Sequence, residues 1–187
     1  MAPSPRPARS SPARDEACRA AVLVLIYPQA GEPTIVLTLR TAKVATHRLQ
    51  MSLPGGRTED NESIEQTALR ETQEELGVAP QSVQVLGRLT PLLVRASNHL
   101  IHPVVGCVSE QPIFVRNKAE VECVIEVGLH ELAGPGVLKK EIWSIDGWQR
   151  EVPFFLLRGH KVWGATAMIL SEFVEVVRLV DSFPSFA

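Results

Sequence analysis

Between Gly55 and Val78 the chain reads GGRTEDNESIEQTALRETQEELGV. Three glutamates in it, Glu71, Glu74 and Glu75, recur at spacing i, i+3, i+4. At about 100° per residue, that spacing sets three carboxylates on one face of a helix. Like charges so close repel, weakly when solvated and more when partly buried. Two neighbours set the cluster apart from a solvated acidic stripe. Arg70 stands beside it, and Glu62, eight residues before Arg70, is placed to brace the guanidinium. The turn Leu53-Pro54-Gly55-Gly56 comes just before, where backbone carbonyls can face the acids. Hard oxygen donors of this kind suit Mg²⁺ or Mn²⁺, and a divalent ion relieves the repulsion.

The helix that must carry these acids is bounded by its own residues. Ser63 followed by Gln66 forms a capping box and predicts a start near Ser63. Gly77, with Pro80 soon after, predicts an end near Leu76. Leu69, Thr72 and Leu76 fall on a neighbouring face, expected to pack inward. Upstream, the apolar run Ala20–Tyr27 predicts a buried strand, and Thr34–Arg40 a second one rich in β-branched residues. Thr41–Ser52 has no clear period and is expected to be a loop.

Downstream, Val83–Leu89 predicts a strand with Gly87 at a bulge. Leu100–Val108 predicts another, in which Pro103 suggests an edge or a bulge. Arg116–Leu132 carries Glu120, Glu122 and Glu126, then a short helix that stops at Gly134-Pro135-Gly136. Lys140–Ile145 and Trp148–Phe155 flank Asp146-Gly147, a strong hairpin signal. Thr166–Val180 has the apolar spacing of an amphipathic helix. Strands, helix, strands, helix imply an α/β fold with a mixed sheet between helices, an α/β/α sandwich.

Composition bounds what this scaffold can do. A chain of 187 residues, 45% hydrophobic and 21% charged, suits one folded domain with a full core. The expected division is a Pro/Ala/Arg/Ser-rich disordered tail over 1–16, with four prolines in its first twelve residues, and a domain over 17–187. The net charge of −2 gives no general attraction to nucleic acid or to an anionic membrane. An anionic substrate at an acidic site needs bridging cations, as the metal reading supplies. Cys18, Cys107 and Cys123 show no ligand spacing and are expected to be reduced core thiols in a cytoplasmic protein. No apolar run reaches the length of a membrane span, and the tail lacks the hydrophobic segment of a secretory signal.

Gly56, five residues, Glu62, seven residues, Arg70-Glu71, then Glu74-Glu75 and Gly77-Val78 resemble the Nudix box, G-x5-E-x7-R-E-U-x-E-E-x-G-U, with U bulky and apolar. All seven fixed residues are present, and Thr72 departs at the first U. The resemblance implies roles. Glu74 and Glu75 match the core metal ligands, and Glu71 a further ligand or the group that handles a water's proton. The Gly56 carbonyl matches a backbone ligand, and Glu62 with Arg70 a structural brace. The implied reaction is hydrolysis of a nucleoside diphosphate linked to another group, with a small-molecule nucleotide as substrate and a monomer or homodimer as the working form.

Residues 37–56 (LTLRTAKVATHRLQMSLPGG) and Val162–Ala167 (VWGATA) look like the coenzyme A pyrophosphatase branch, whose upstream motif is close to L-L-T-x-R-[SA]-x3-R-x3-G-x3-F-P-G-G. Leu37, Thr38, Arg40, Pro54, Gly55 and Gly56 match it. Ala45 replaces its second Arg, Leu49 its Gly, Leu53 its Phe, and Thr41 its Ser or Ala. An arginine is a natural grip on phosphate, so the Ala45 departure keeps ADP-ribose, NADH or oxidised nucleotides open as substrates. A domain that senses a nucleotide without cleaving it is a third reading. Arg40 and Arg57 are candidate phosphate-binding residues. Glu120, in a stretch resembling the branch's N-x-x-E-V, is a candidate to help the metals or act as base.

Overall fold

The computed structural model describes residues 17–41, 50–145 and 147–179. The expectations for 1–16, for Ala45 and Leu49, for Asp146 and for Val180 lie outside those residues. The long apolar run near the start becomes strand β1 (Cys18–Gln29), and its alternation explains why it is apolar throughout. Ala21, Leu23, Leu25 and Tyr27 join one core, while Val24 lies in a second core on the opposite face, with Val22 and Ile26 packed against it. A strand covered on both faces has no solvent side to make polar.

β1 is flanked by β2 (Glu32–Arg40), β4 (Gly55–Arg57) and β7 (His99–Cys107). The main sheet runs β3 (Met51–Ser52), β2, β1, β7, β5 (Gln84–Arg88). β4 also pairs β1, β6 (Leu92–Val94) pairs β7, and β8 (Val121–Gly128) pairs β2. β1 and β7 are parallel and the other pairs antiparallel, so the sheet is mixed as expected.

Helix α1 (Ile64–Leu76) covers one face through Ile64, Ala68 and Leu76. The other face is covered by α2 (Leu129–Ala133), by α3 (Gly164–Leu179) and by a separate three-stranded sheet. That sheet consists of β9 (Leu138–Ile145), β10 (Trp148–Leu157) and β11 (His160–Trp163), and contributes Phe155, Leu157 and Val162 to the core. The α/β/α layering holds, with this second sheet inserted beside α3.

Several local expectations need correction. Thr41–Ser52 is not all loop, because Met51–Ser52 pairs with Thr38–Leu39. Pro103 does not mark an edge: β7 is paired on both sides. Its missing N–H falls where the partner changes from β5 to β6, beside Leu89, which donates to the Pro103 carbonyl at 3.0 Å. The bond is made without its reciprocal, at the point where β5 ends, so the proline costs a single bond at a strand end. Val121–Gly128 is a strand within a stretch not recognised as one. α3 starts at Gly164, two residues before the expected Thr166. Cys18 is exposed rather than core, while Cys107 and Cys123 are half-buried; all three are free thiols. Gly87 does sit at a bulge, where the β5–β7 register shifts.

Candidate functional site

The acids are held by a helix whose ends are fixed locally. Ser63 is the N-cap, the reciprocal Ser63–Gln66 bonds are both made, and Gly77 closes the helix in the left-handed conformation at φ 74°. Thr72 occupies a buried position that the box gives to an apolar residue. Its hydroxyl donates to the Ala68 carbonyl at 2.7 Å, which removes the cost of burying it.

Arg70 organises the outer half of the cluster. Its Nε and Nη2 donate to the two oxygens of Glu62 at 2.7 and 3.1 Å, a forked pair. Nη1 donates to Glu71 at 2.9 Å and to Glu74 at 3.1 Å, and Nη2 also reaches the Arg57 carbonyl at 3.0 Å. Glu62 accepts further bonds from the Glu59 N–H and the Thr67 hydroxyl. The hydrogen bond from Arg70 is the main reason its carboxyl is held down to about 2. Glu62 and Arg70 are thus joined as an ion pair, and Thr67, which the spacing alone did not single out, bonds to the same carboxylate.

Glu75 lies deeper and is held differently. It is 2% exposed. Oε1 stands 3.6 Å from Nη1 of Arg40, and Oε2 is buried with no hydrogen-bond partner among the described residues. Burial pushes its carboxyl up to about 8; Arg40 opposes this, and Glu71 and Glu120 add to it. Burial also raises Glu71, against the pull of Arg70.

Glu120 is brought to the same place by backbone. Val115 and Asn117 donate to the carbonyls of Leu76 and Glu75 at 2.8 and 2.9 Å, extending the end of α1 into the 115–120 segment. Asn117 then donates through its side chain to Glu120 at 3.1 Å, and Thr41 donates its N–H to the Glu120 carbonyl at 2.8 Å. Asn117 and Thr41 are positioning residues that sequence reasoning did not assign, though Asn117 opens the quoted N-x-x-E-V stretch. Glu122 is exposed, at the bulge where β2 and β8 shift register between Leu39 and Arg40.

The two candidate phosphate arginines diverge. Arg40 follows Val36 and Thr38 on the α1 side of β2 and meets Glu75. The Arg57 side chain turns to His99, with Nε donating to Nε2 at 3.1 Å, while His99 Nδ1 is bonded to the Ser97 carbonyl. A shallow cleft of about 380 Å³ borders the Glu62–Arg70 pair rather than Glu75, lined also by Asp60, Asn61 and Gln73.

The donor set fits a hard divalent cation. Glu75 Oε2 is an orphaned buried carboxylate oxygen. A Cβ at Gly56 would lie 2.4 Å from the Glu71 carboxyl carbon, so any side chain there would push that carboxylate from its present place. Among the described residues no three acidic, histidine or cysteine side chains already converge as a coordination shell. Arg70 and Arg40 hold the carboxylates instead. Glu71, Glu74, Glu75 and the Gly56 carbonyl are the groups that could take the ion.

Comparison with known proteins gives a consistent picture. A family model described as the NUDIX domain matches residues 18–146. An uncharacterized Nudix hydrolase, NudL, of Photorhabdus laumondii is 36% identical over 176 residues, covering 94% of this chain and 91% of its own. A NudL of Yersinia pestis is 33% identical over 162 residues, covering 86% and 80%. Among solved structures, a Nudix hydrolase from M. smegmatis, RenU, superposes with a TM-score of 0.62 at 17% identity, covering 89% of each chain.

Proposed function

The chain belongs to the Nudix hydrolase family, and from that premise we propose that it cleaves the pyrophosphate of a nucleoside diphosphate derivative, with coenzyme A or an acyl-coenzyme A as substrate. The products from coenzyme A would be 3′,5′-ADP and 4′-phosphopantetheine. The observation that carries the reading is the buried Glu75 carboxylate, with one oxygen orphaned and Glu71 and Glu120 close enough to raise it further.

Glu71, Glu74, Glu75 and the Gly56 carbonyl would hold Mg²⁺ or Mn²⁺. When bound, such an ion neutralises pyrophosphate charge and eases loss of a proton from water. Glu62 and Arg70 keep α1 in register with the glycine turn. Glu120, anchored by Asn117, is proposed to accept the proton of the attacking water. The water oxygen bonds to one phosphorus, the bridging P–O bond breaks, and the leaving phosphate carries away the electron pair. Arg40 is proposed to grip a phosphate oxygen. For Arg57 the fixed His99 contact supports a role at the rim of the site. The working unit is proposed to be residues 17–187 in a cytoplasmic protein.

A second reading draws on Ala45 and Leu49, which replace the Arg and Gly of the upstream motif. It takes ADP-ribose, NADH or an oxidised nucleotide as the substrate. The deciding experiment is a panel of coenzyme A, acyl-coenzyme A, ADP-ribose, NADH and oxidised dGTP with Mg²⁺ or Mn²⁺, products identified by mass spectrometry. Glu75→Gln serves as control. Preferential release of 4′-phosphopantetheine is expected, with turnover reduced by orders of magnitude in the folded variant. Preference for another substrate overturns the coenzyme A assignment. Binding without any cleavage favours a sensor.

A further inference from the structure

The acid cluster carries two arginines, and they differ in how much of their bonding capacity is spent. Arg70 engages Glu62, Glu71, Glu74 and the Arg57 carbonyl at 2.7 to 3.1 Å. Arg40 meets Glu75 at 3.6 Å, beyond good hydrogen-bond length, and its buried Nε has no partner among the described residues. One oxygen of Glu75 is unspent too: Oε2 is buried with no hydrogen-bond partner among the described residues, while a backbone hydrogen bond from Gly55 also reaches the carboxyl. So Arg70 is locked, whereas the Arg40–Glu75 pair has good charge complementarity and poor hydrogen bonding.

The backbone beneath Arg40 is fixed. Its N–H donates to the Gln50 carbonyl at 3.1 Å, and the Thr41 N–H to the Glu120 carbonyl at 2.8 Å. Any rearrangement is therefore confined to the side chain, which is 23% exposed and so has an open direction in which to move.

We propose that Arg40 is a place-holder for the divalent ion: its guanidinium occupies the ground beside Glu75 in the metal-free protein, gives up that position when the ion arrives, and swings to the pyrophosphate. This rests on the metal-dependent reading above and adds a coupling to it. A cation entering at Glu75 repels the guanidinium held there, and the pyrophosphate anion provides its new partner. Metal and substrate binding then reinforce each other through one side chain. Arg40 is, in this account, a positioning residue before metal loading and a substrate-binding residue after it.

The test is Mn²⁺ binding without substrate, read from free Mn²⁺ by electron paramagnetic resonance, for the unaltered protein, Arg40→Gln and Glu75→Gln. Arg40→Gln is expected to bind Mn²⁺ several-fold more tightly, because the competing cation is gone, and to show a raised KM at saturating Mn²⁺ with a smaller change in kcat. Affinity that is unchanged or weaker in Arg40→Gln, while Glu75→Gln loses the ion, overturns the place-holder and leaves the metal reading standing. Unaltered Mn²⁺ affinity in Glu75→Gln overturns both. A readout needing no variant of uncertain folding is the Nε–H signal of Arg40 in the unaltered protein. Mg²⁺ is expected to shift it and speed its exchange with solvent; a signal that stays in place overturns the proposal.

Discussion

Glu75 is a carboxyl group that the fold buries beside the Arg40 guanidinium, and this burial has a measurable pH signature. Its folded value of about 8 lies above the ordinary 4.5, so the native state holds a proton there that the unfolded chain has released. The stability linked to that proton is full below about pH 4.5 and is lost as the pH rises through about 8. The metal-free protein is therefore expected to melt at progressively lower temperature across that interval, and Glu75→Gln to flatten the decline. Thermal melts in chelator at a series of pH values check this, and a profile as steep in the variant would contradict it. Saturating Mg²⁺ should raise Tm most at the alkaline end, since an ion that binds only the native state adds stability. Glu62 behaves in the opposite sense. Held down to about 2 mainly by Arg70, it contributes stability above about pH 4.5 that is lost as the pH falls towards 2.

At the scale of elements, α1 was the most legible part of the chain because its limits are set by adjacent residues. Ser63, Gln66 and Gly77 act within a turn of where they stand, and the helix begins and ends as they dictate. Ser63→Ala removes the bond that the Ser63 hydroxyl accepts from the Gln66 N–H, leaving the reciprocal bond from the residue-63 backbone N–H to Gln66, and should cost about 1 kcal/mol, read as a shift in the denaturant midpoint with unchanged slope. Gly56→Ala tests the turn below it. The added methyl would overlap the Glu71 carboxylate, at 2.4 Å from both its carbon and Oε1. The expected outcome is a large loss of turnover and weakened Mn²⁺ binding with the far-ultraviolet dichroism retained. Activity like that of the parent would mean that the contact is not needed. β8 was illegible for the converse reason. Glu122 sits at a bulge that breaks its alternation, and Glu126 is satisfied by Tyr27, which is distant in sequence. Pro103 misled in the same way, since its tolerance depends on a break in the neighbouring strand. The candidate site divided along this line. The box acids and their brace could be read from spacing, whereas Thr67, Asn117, Thr41 and the Arg40–Glu75 contact arise only when separate elements meet.

At the scale of the molecule, two cores share one sheet, and the acid helix stands on one of them while α3 and the small sheet close the other. The proposed working unit of residues 17–187 makes a simple prediction. A chain lacking 1–16 should match the full chain in Tm and in kcat/KM, and a fall in either would draw those residues into the domain. The parallel pairing of β1 with β7 has a further consequence, which concerns time rather than energy. Cys18 lies opposite His99 and Ile26 opposite Cys107, so the first strand meets this neighbour only after some eighty intervening residues have been made. Those residues include α1 and every box acid. During synthesis the acidic helix emerges before the sheet that will hold it is complete. Long-range parallel pairing of this kind slows folding, and the β7-facing edge of β1 is an apolar edge open to wrong partners in the meantime. The strand that secures the finished site is thus also the one most exposed to error while the chain is being made.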